Sequence, residues 1–414
     1  MRQAIPRWCI AYVHLLLLIL PTAVHVVAFS HPNVPTTSVE LPPGDLPLSA
    51  DVERALAAVR RACSVTEQLQ PEGGDDPQEI NTVEKKDLSP VTVADFAVQA
   101  LILDALHEEY PNDGYIAEEN SESLLHDATL CSQVTDAAGF ESKERTIKAI
   151  DLGKSYEKWG VGETTSRPRR VWCLDPIDGT RGFLRGRKTG GQYAIALALI
   201  EDGVPVIGIL GCPNLPVDDV GDSGSYAWSN DEEAARNPMH RGCVFVASKN
   251  GGSFQLPVTL GGFEPRRLHV TKDRPVSRAR FCIGVERFSD AAGQCAGMAQ
   301  ELHGIENALD GEHGDIVLAT RMDSQAKHGV IARGGAELYA RLPKPGYVEW
   351  IWDHAAGKVV VEEAGGKMTD VDGRELDFSL GAHLSSSVKG VLMSCGGETH
   401  QALVKAYAVV NGSP

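Results

Sequence analysis

Asp175 and Asp178, separated by a proline and an isoleucine, are the residues whose types and spacing point most directly to chemistry. The apolar run Val171-Trp172-Cys173-Leu174 reads as a buried strand that places Asp175 at its carboxyl end. Pro176 bends the chain there, so that Asp178 returns to the same point. Two carboxylates and the carbonyl of Ile177 then form a hard-oxygen site suited to magnesium, which takes oxygen ligands and keeps several waters. Gly179 lets the backbone approach a ligand, and the amides of Thr180 and Arg181 can donate to an anionic phosphate. In isolation the string is an Asp-Pro turn followed by an Asp-Gly turn, which many loops use. Its weight comes from what surrounds it.

The segment from Trp172 to Gly186 resembles the signature of the lithium-sensitive inositol monophosphatase superfamily, and its end, Arg181-Gly182-Phe183-Leu184-Arg185-Gly186, resembles the 3'(2'),5'-bisphosphate nucleotidase branch. Met322 to Lys327, Ala340 to Pro343, Ile351 to Gly357 and Val361 to Gly366 follow that branch in order. The resemblance spans roughly residues 50 to 408 and is poor over 121 to 150. It implies an α/β (α+β) fold, a layered αβαβα sugar-phosphatase-like architecture with two subdomains. It also implies a phosphatase that hydrolyses the 3'-phosphate of 3'-phosphoadenosine 5'-phosphate, or of the phosphosulfate, with two or three magnesium ions. Carried over residue by residue, the metal ligands are Glu118, Asp175, the Ile177 carbonyl, Asp178 and Asp353, and the pair acting on the attacking water is Asp95 with Thr180. Gly179, Thr180, Ser324, Lys327 and Arg341 would contact substrate.

From residue types alone, these distant positions have plainer readings. Glu118 is an acid at a strand end, Asp95 pairs with Thr92 in a helix cap, Asp353 caps a helix, and Lys327 and Arg341 are surface cations. One departure from the branch concerns the nucleotide side. After Gly284-Val285-Glu286 the branch carries a histidine-rich stretch, whereas this chain has Arg287 to Ala292 with no histidine. An inositol phosphate phosphatase is the alternative enzyme, and a catalytically silent nucleotide sensor is the alternative outside enzymes.

The elements that must hold these residues come from a chain of 414 residues, 43% hydrophobic, with a net charge of -17. That composition supports a large core and supplies no basic face for a nucleic-acid polymer, so the expected partner is a small phosphorylated molecule. The nine cysteines include no Cys-x-x-Cys pair, which argues against a zinc cluster. Arg2 and Arg7 precede an apolar stretch around Leu15 to Leu20, and Val26-Val27-Ala28 supplies a cleavage site before Phe29. Residues 1–28 thus read as a signal peptide and 29–48 as a leader or linker, with passage into the secretory route and then a plastid with extra membranes or a secreted or endomembrane destination. After leader removal no membrane span is expected, and nothing in the chain fixes an oligomeric state.

The folded part is expected from Ser49 or Asp51, either of which could cap a helix carrying Val52, Leu56, Val59 and Cys63. A second helix carries Phe96, Ala100, Leu103 and Leu106, and residues 121 to 170, without clean periodicity, read as a surface insertion. Residues 49–240 are taken as an N-terminal metal-binding domain. Residues 241–412 are taken as a C-terminal α/β substrate domain opening on the apolar run Val244 to Ser248.

Overall fold

The computed structural model describes residues 47–71, 82–84, 90–158, 168–217, 241–259, 265–285, 293–304 and 319–412. The expected signal peptide, the leader up to residue 46 and the stretch Arg287 to Ala292 lie outside the described residues. Among those described, no helix is long and apolar enough to cross a membrane.

Two sheets carry the architecture. A short ribbon of β1 (Thr82–Glu84) and β2 (Pro90–Thr92) precedes a seven-stranded sheet in sequential order: β3 (Gly114–Ala117), β4 (Arg170–Asp178), β5 (Ala194–Glu201), β6 (Val204–Pro216), β7 (Arg241–Ser248), β8 (Gly252–Pro257) and β9 (Arg266–Arg267). The second sheet contains β10 (Phe281–Ile283), β11 (Ala319–Arg321), β12 (Leu338–Arg341), β13 (Lys367–Asp370) and β14 (Val391–Ser394) in the order β11-β10-β12-β14-β13.

Alternation along β5 shows how the layers form. Ile195, Leu197 and Leu199 join a core with Val52, Leu56 and Val59 of α1 (Ser49–Leu69) and Val98, Leu101 and Ile102 of α2 (Val93–Glu109). Ala194, Ala196 and Ala198 face the other way, into a core with both the second sheet and a later helix (Ala355–Glu363). Small residues there admit that helix closely: a Cβ on Gly208 would lie 2.3 Å from the Ala356 carbonyl oxygen. The far face of the second sheet, with Phe281, Leu338 and Leu392, packs on helices containing Met298 and Leu403. The order of layers is therefore αβαβα, as expected.

Three sequence-based expectations need correction. Residues 121 to 170 are not a structureless insertion. They hold α3 (Glu122–His126), α4 (Ala128–Ala138) and α5 (Lys143–Asp151), and Leu124, Leu130, Val134 and Ile150 bury against Phe96, Ala97 and Ala100 of α2. The run Val244 to Ser248 pairs antiparallel with β6, so the first sheet continues through Arg267 and the expected division at 240 falls inside it. At the start of α1 neither Ser49 nor Asp51 caps: Leu48 holds the cap position without a side-chain bond, and Asp51 instead accepts from Arg170 at 2.6 Å.

A buried histidine ties the second sheet to α10 (Gly397–Val410), the last of the remaining helices α6 (Thr180–Arg185), α7 (Gln294–His303), α8 (Ala326–Ala332) and α9 (Ala355–Glu363). His400 places Nε2 2.9 Å from Thr369 Oγ1 and Nδ1 3.0 Å from Ser394 Oγ. Thr369 already donates to the Asp370 carbonyl, so the network assigns one N–H to Nε2 and an acceptor role to Nδ1, which is the neutral ring. Burial, then Lys367, with Lys358 acting in the same sense and Glu362 and Glu375 opposing it, pushes the ring down to about 4. The unfolded chain binds this proton more readily, so the contribution is complete above about pH 6.5 and is lost as pH falls toward 4. Urea unfolding at pH 7 and pH 5 should show His400→Gln with lower stability at pH 7 and a smaller loss on acidification than the parent. An unchanged pH difference would refute this role.

Candidate functional site

The two aspartates that open the sequence argument lie on β4, which runs to Asp178 rather than ending at Leu174. In a regular strand, residues three apart point to opposite faces. Here Asp175 pairs with Ala196 and Asp178 with Ala194, so β4 uses three steps where β5 uses two. That extra residue is a β-bulge, and it turns Asp178 back to the face of Asp175. Parallel pairing of β3 with β4 sets Ala117 against Leu174 and so brings Glu118, the next residue, beside Asp175. The remaining carboxylate, Asp353, comes from a 3₁₀ turn (Ile351–Asp353) ahead of α9. It does not cap α9 as expected: His354 holds that position, and no side chain bonds the helix end. Asp353 is thereby left to the cleft.

One oxygen from each of Asp175, Asp178 and Asp353 lies within 4.8 Å of the others. Burial and then the charge of Glu118, with Asp178 and Asp353 adding to it, push the Asp175 carboxyl well above the usual carboxylate range. Burial raises Asp178 as well, against the pull of Lys327 and Arg341, and burial pushes Asp353 up to about 6. Asp175 Oδ1 is buried without a hydrogen-bond partner. Like charges gathered out of water, with an orphaned oxygen among them, form a site that a divalent cation would complete, and an all-oxygen donor set fits a hard ion.

Asp95 and Thr180 meet beside this group. Asp95 heads α2, where its Oδ2 accepts from the Thr92 amide at 2.8 Å and from Thr92 Oγ1 at 2.6 Å. The capping reading is therefore correct, and the other oxygen, Oδ1, faces Thr180 Oγ1 at 3.4 Å. Thr180 Oγ1 also lies 3.2 Å from the Ile177 carbonyl, and its single proton can serve one of these acceptors at a time.

Gly179 joins the two halves of the cleft. It has φ +83°, and a Cβ there would come 2.8 Å from the Cβ of Ser324, so only glycine allows both the backbone shape and the close approach. Ser324 itself has φ +65° and accepts from the Ala326 amide. The adjacent Gln325 amide donates to Asp178 Oδ2 at 2.6 Å, a contact that no residue type announces.

Lys327 is not a surface group, and Arg341 is partly exposed. Lys327, on α8, is buried, donates to the Met322 carbonyl and stands over the Tyr339 ring. Burial lowers its pKa, and Asp178 works against that shift. Arg341, at the end of β12, donates to Asp353 Oδ2 at 2.9 Å and to Glu349 Oε2 at 2.8 Å. Burial opposes the Arg341 charge, but Asp353 and Glu349 outweigh it and hold the guanidinium protonated. Sequence reasoning missed Glu349. The available signal was an acid inside the aromatic run Glu349-Trp350-Ile351-Trp352, where a solvated charge is out of place. Arg185 is engaged with Asp323 at 2.5 Å.

The profile of the inositol monophosphatase family matches residues 49–408. The chain is 40% identical over 366 residues to a 3'(2'),5'-bisphosphate nucleotidase of Emericella nidulans, covering 83% of this chain and 94% of that protein. A 3'(2'),5'-bisphosphate nucleotidase of Schizosaccharomyces pombe is 35% identical over 377 residues, covering 89% and 98%. Among solved structures, the suhB extragenic suppressor protein of Bartonella henselae superposes with a TM-score of 0.53 at 18% identity, covering 86% of this chain and 98% of that one. An IMPase of Thermotoga maritima gives 0.52 at 17% identity, covering 88% and 98%; both likenesses concern the fold.

Proposed function

The chain belongs to the inositol monophosphatase family, and on that premise we propose that it is a metal-dependent 3'(2'),5'-bisphosphate nucleotidase that converts 3'-phosphoadenosine 5'-phosphate to AMP and phosphate. One observation carries the reading beyond the family. The cleft combines a three-carboxylate group, suited to cations that would hold the phosphate to be cleaved, with Lys327 and Arg341, suited to a second phosphate that is kept. We assign magnesium, two or three ions, to Glu118, Asp175, the Ile177 carbonyl, Asp178 and Asp353. When bound, these ions supply Lewis-acid neutralisation of the phosphate charge and acidify the water nucleophile.

The residues of the chain do the rest. Thr180 Oγ1 accepts the proton of the attacking water as its own proton passes to Asp95 Oδ1, and the Thr92 cap holds that carboxylate in place. Amides after Asp178, at Gly179 and Thr180, face the phosphate oxygens, an arrangement that the left-handed Gly179 supports. Ser324, Lys327 and Arg341 receive the nucleotide. A hydrolysis of this kind requires no covalent phosphoenzyme.

Phosphate release should be measured on 3'-phosphoadenosine 5'-phosphate, adenosine 3'-monophosphate and inositol bisphosphate, with magnesium and then with added lithium. A second phosphate held by charge-assisted contacts contributes about 1.5–3 kcal/mol, so KM for the nucleoside bisphosphate should lie ~10–100-fold below that for the monophosphate. Lithium should inhibit. Preference for inositol bisphosphate would move the assignment to an inositol phosphate phosphatase, and no release from any substrate would leave a nucleotide sensor.

A further inference from the structure

We propose that Glu349 is a positioning residue for substrate recognition: it aims the Arg341 guanidinium at the phosphate that is not cleaved. The inference rests on the reading of Arg341 as a contact for that second phosphate.

Glu349 is fully buried, between the end of β12 and the 3₁₀ turn that carries Asp353. Its Oε2 accepts from Arg341 Nε at 2.8 Å and from His354 Nε2 at 3.0 Å, and its backbone carbonyl accepts from the Leu384 amide at 2.9 Å. The guanidinium is gripped a second time through Nη2, by Asp353 Oδ2 at 2.9 Å. Two carboxylates on two different nitrogens, with the Tyr347 hydroxyl as a further hydrogen-bond partner, fix the plane of the fork and its rotation, and so set the direction in which its remaining N–H groups meet an incoming anion. An arginine side chain that is 36% exposed would otherwise swing among many rotamers, or lie bidentate on Asp353. Glu349 prevents both.

The group Glu349, Asp353 and His354 has the spacing of a cation site, with ligand atoms within 4.8 Å of one another. Arg341 already supplies a cation to two of the three, so the group reads as an arginine holder. A buried carboxylate is costly unless it is paired, and an apolar residue would pack between Arg341 and His354 without that cost. Aim is what the carboxylate adds.

Glu349→Gln is the informative variant. Glu349 Oε1 is buried without a partner, so an amide nitrogen can take its place while the other oxygen still accepts from Arg341. Shape is kept, but the bond to Arg341 loses its charge assistance and about half its strength, so the guanidinium is held less firmly in its aim. In this variant KM for 3'-phosphoadenosine 5'-phosphate should rise about tenfold with kcat within about twofold, while KM for adenosine 3'-monophosphate stays at the parent value. In an Arg341→Met background the same change should have no further effect on KM for the bisphosphate, because its target is gone. The proposal is overturned if Glu349→Gln leaves the ratio of the two KM values unchanged, or if its full effect persists without Arg341. If Glu349→Gln does not fold, Arg341→Lys tests the same aim, since a point charge cannot hold both carboxylates and the bisphosphate preference should fall by a similar factor; an unchanged ratio there also overturns it. A parent enzyme with no preference for the bisphosphate would overturn the reading of Arg341 itself, a result visible before any variant is compared.

Discussion

Asp175→Asn and Asp178→Asn should each lower phosphate release about a thousandfold or more, roughly 4 kcal/mol of transition-state stabilisation, while raising the stability of the metal-free protein by different amounts. Both substitutions replace a carboxylate oxygen in the cleft with an amide that cannot serve a divalent cation as well. The environments of the two side chains differ. Burial and then three like charges, Glu118, Asp178 and Asp353, act against an ionised Asp175. Its amide variant removes that repulsion, and the melting temperature in chelator should rise. Asp178 also suffers from burial, but it faces Lys327 and Arg341 and accepts the Gln325 amide. Removing its charge relieves the burial cost but also takes from Lys327 the carboxylate that most supports its charge, so the melting temperature should rise less than in Asp175→Asn. Magnesium should raise the melting temperature of the parent through binding to the folded state, and most of that rise should disappear in both variants. Turnover retained by either variant would refute the metal assignment, and equal changes in stability would refute the account of the charges.

Much of this site was legible because the chemistry constrains residue types locally. The Asp175 to Thr180 string, a common turn in isolation, gained its weight from the ordered motifs around it, and the apolar spacing of Leu56, Val59, Phe96 and Ala100 correctly announces the helices behind it. What the sequence hides are effects of register and of backbone. That Asp175 and Asp178 share a face depends on one extra residue in β4 relative to β5, which is a property of the pair of strands. The Gln325 amide on Asp178 is available in any residue but proline. The helices between 122 and 151 were missed because they are short and carry few large apolar residues, and their stability comes from packing on α2. Local capping by Asp127 and Ser142 was there to be read, each side chain accepting from the first turn of its helix. The run Val244 to Ser248 gives a strand in either sheet, and only pairing with β6 assigns it to the first. Asp353 shows the converse: an aspartate before a helix looks like a cap, yet the intervening 3₁₀ turn points it into the cleft.

Asp95→Asn should lower kcat by ~10²–10⁴-fold and should also destabilise the protein by about 1 kcal/mol, because one carboxylate serves two purposes. Its Oδ2 closes the capping box of α2 with Thr92, and its Oδ1 faces Thr180. An asparagine can keep one of these bonds as an acceptor, but it cannot take a proton. Thr92→Val separates the two roles. It removes the hydroxyl that donates to Asp95 Oδ2 and accepts from the Ala94 amide, so a similar stability loss is expected. The Thr92 backbone amide still holds Asp95 at 2.8 Å, and the carboxylate remains able to accept a proton, so kcat should fall by less than about tenfold. Denaturant unfolding and single-turnover phosphate release on the two variants measure both quantities. Equal losses of kcat would mean that Asp95 acts only by holding the start of α2 in place. Unequal losses at matched stability would separate its chemistry from its capping, which the static structure places on two oxygens of one side chain.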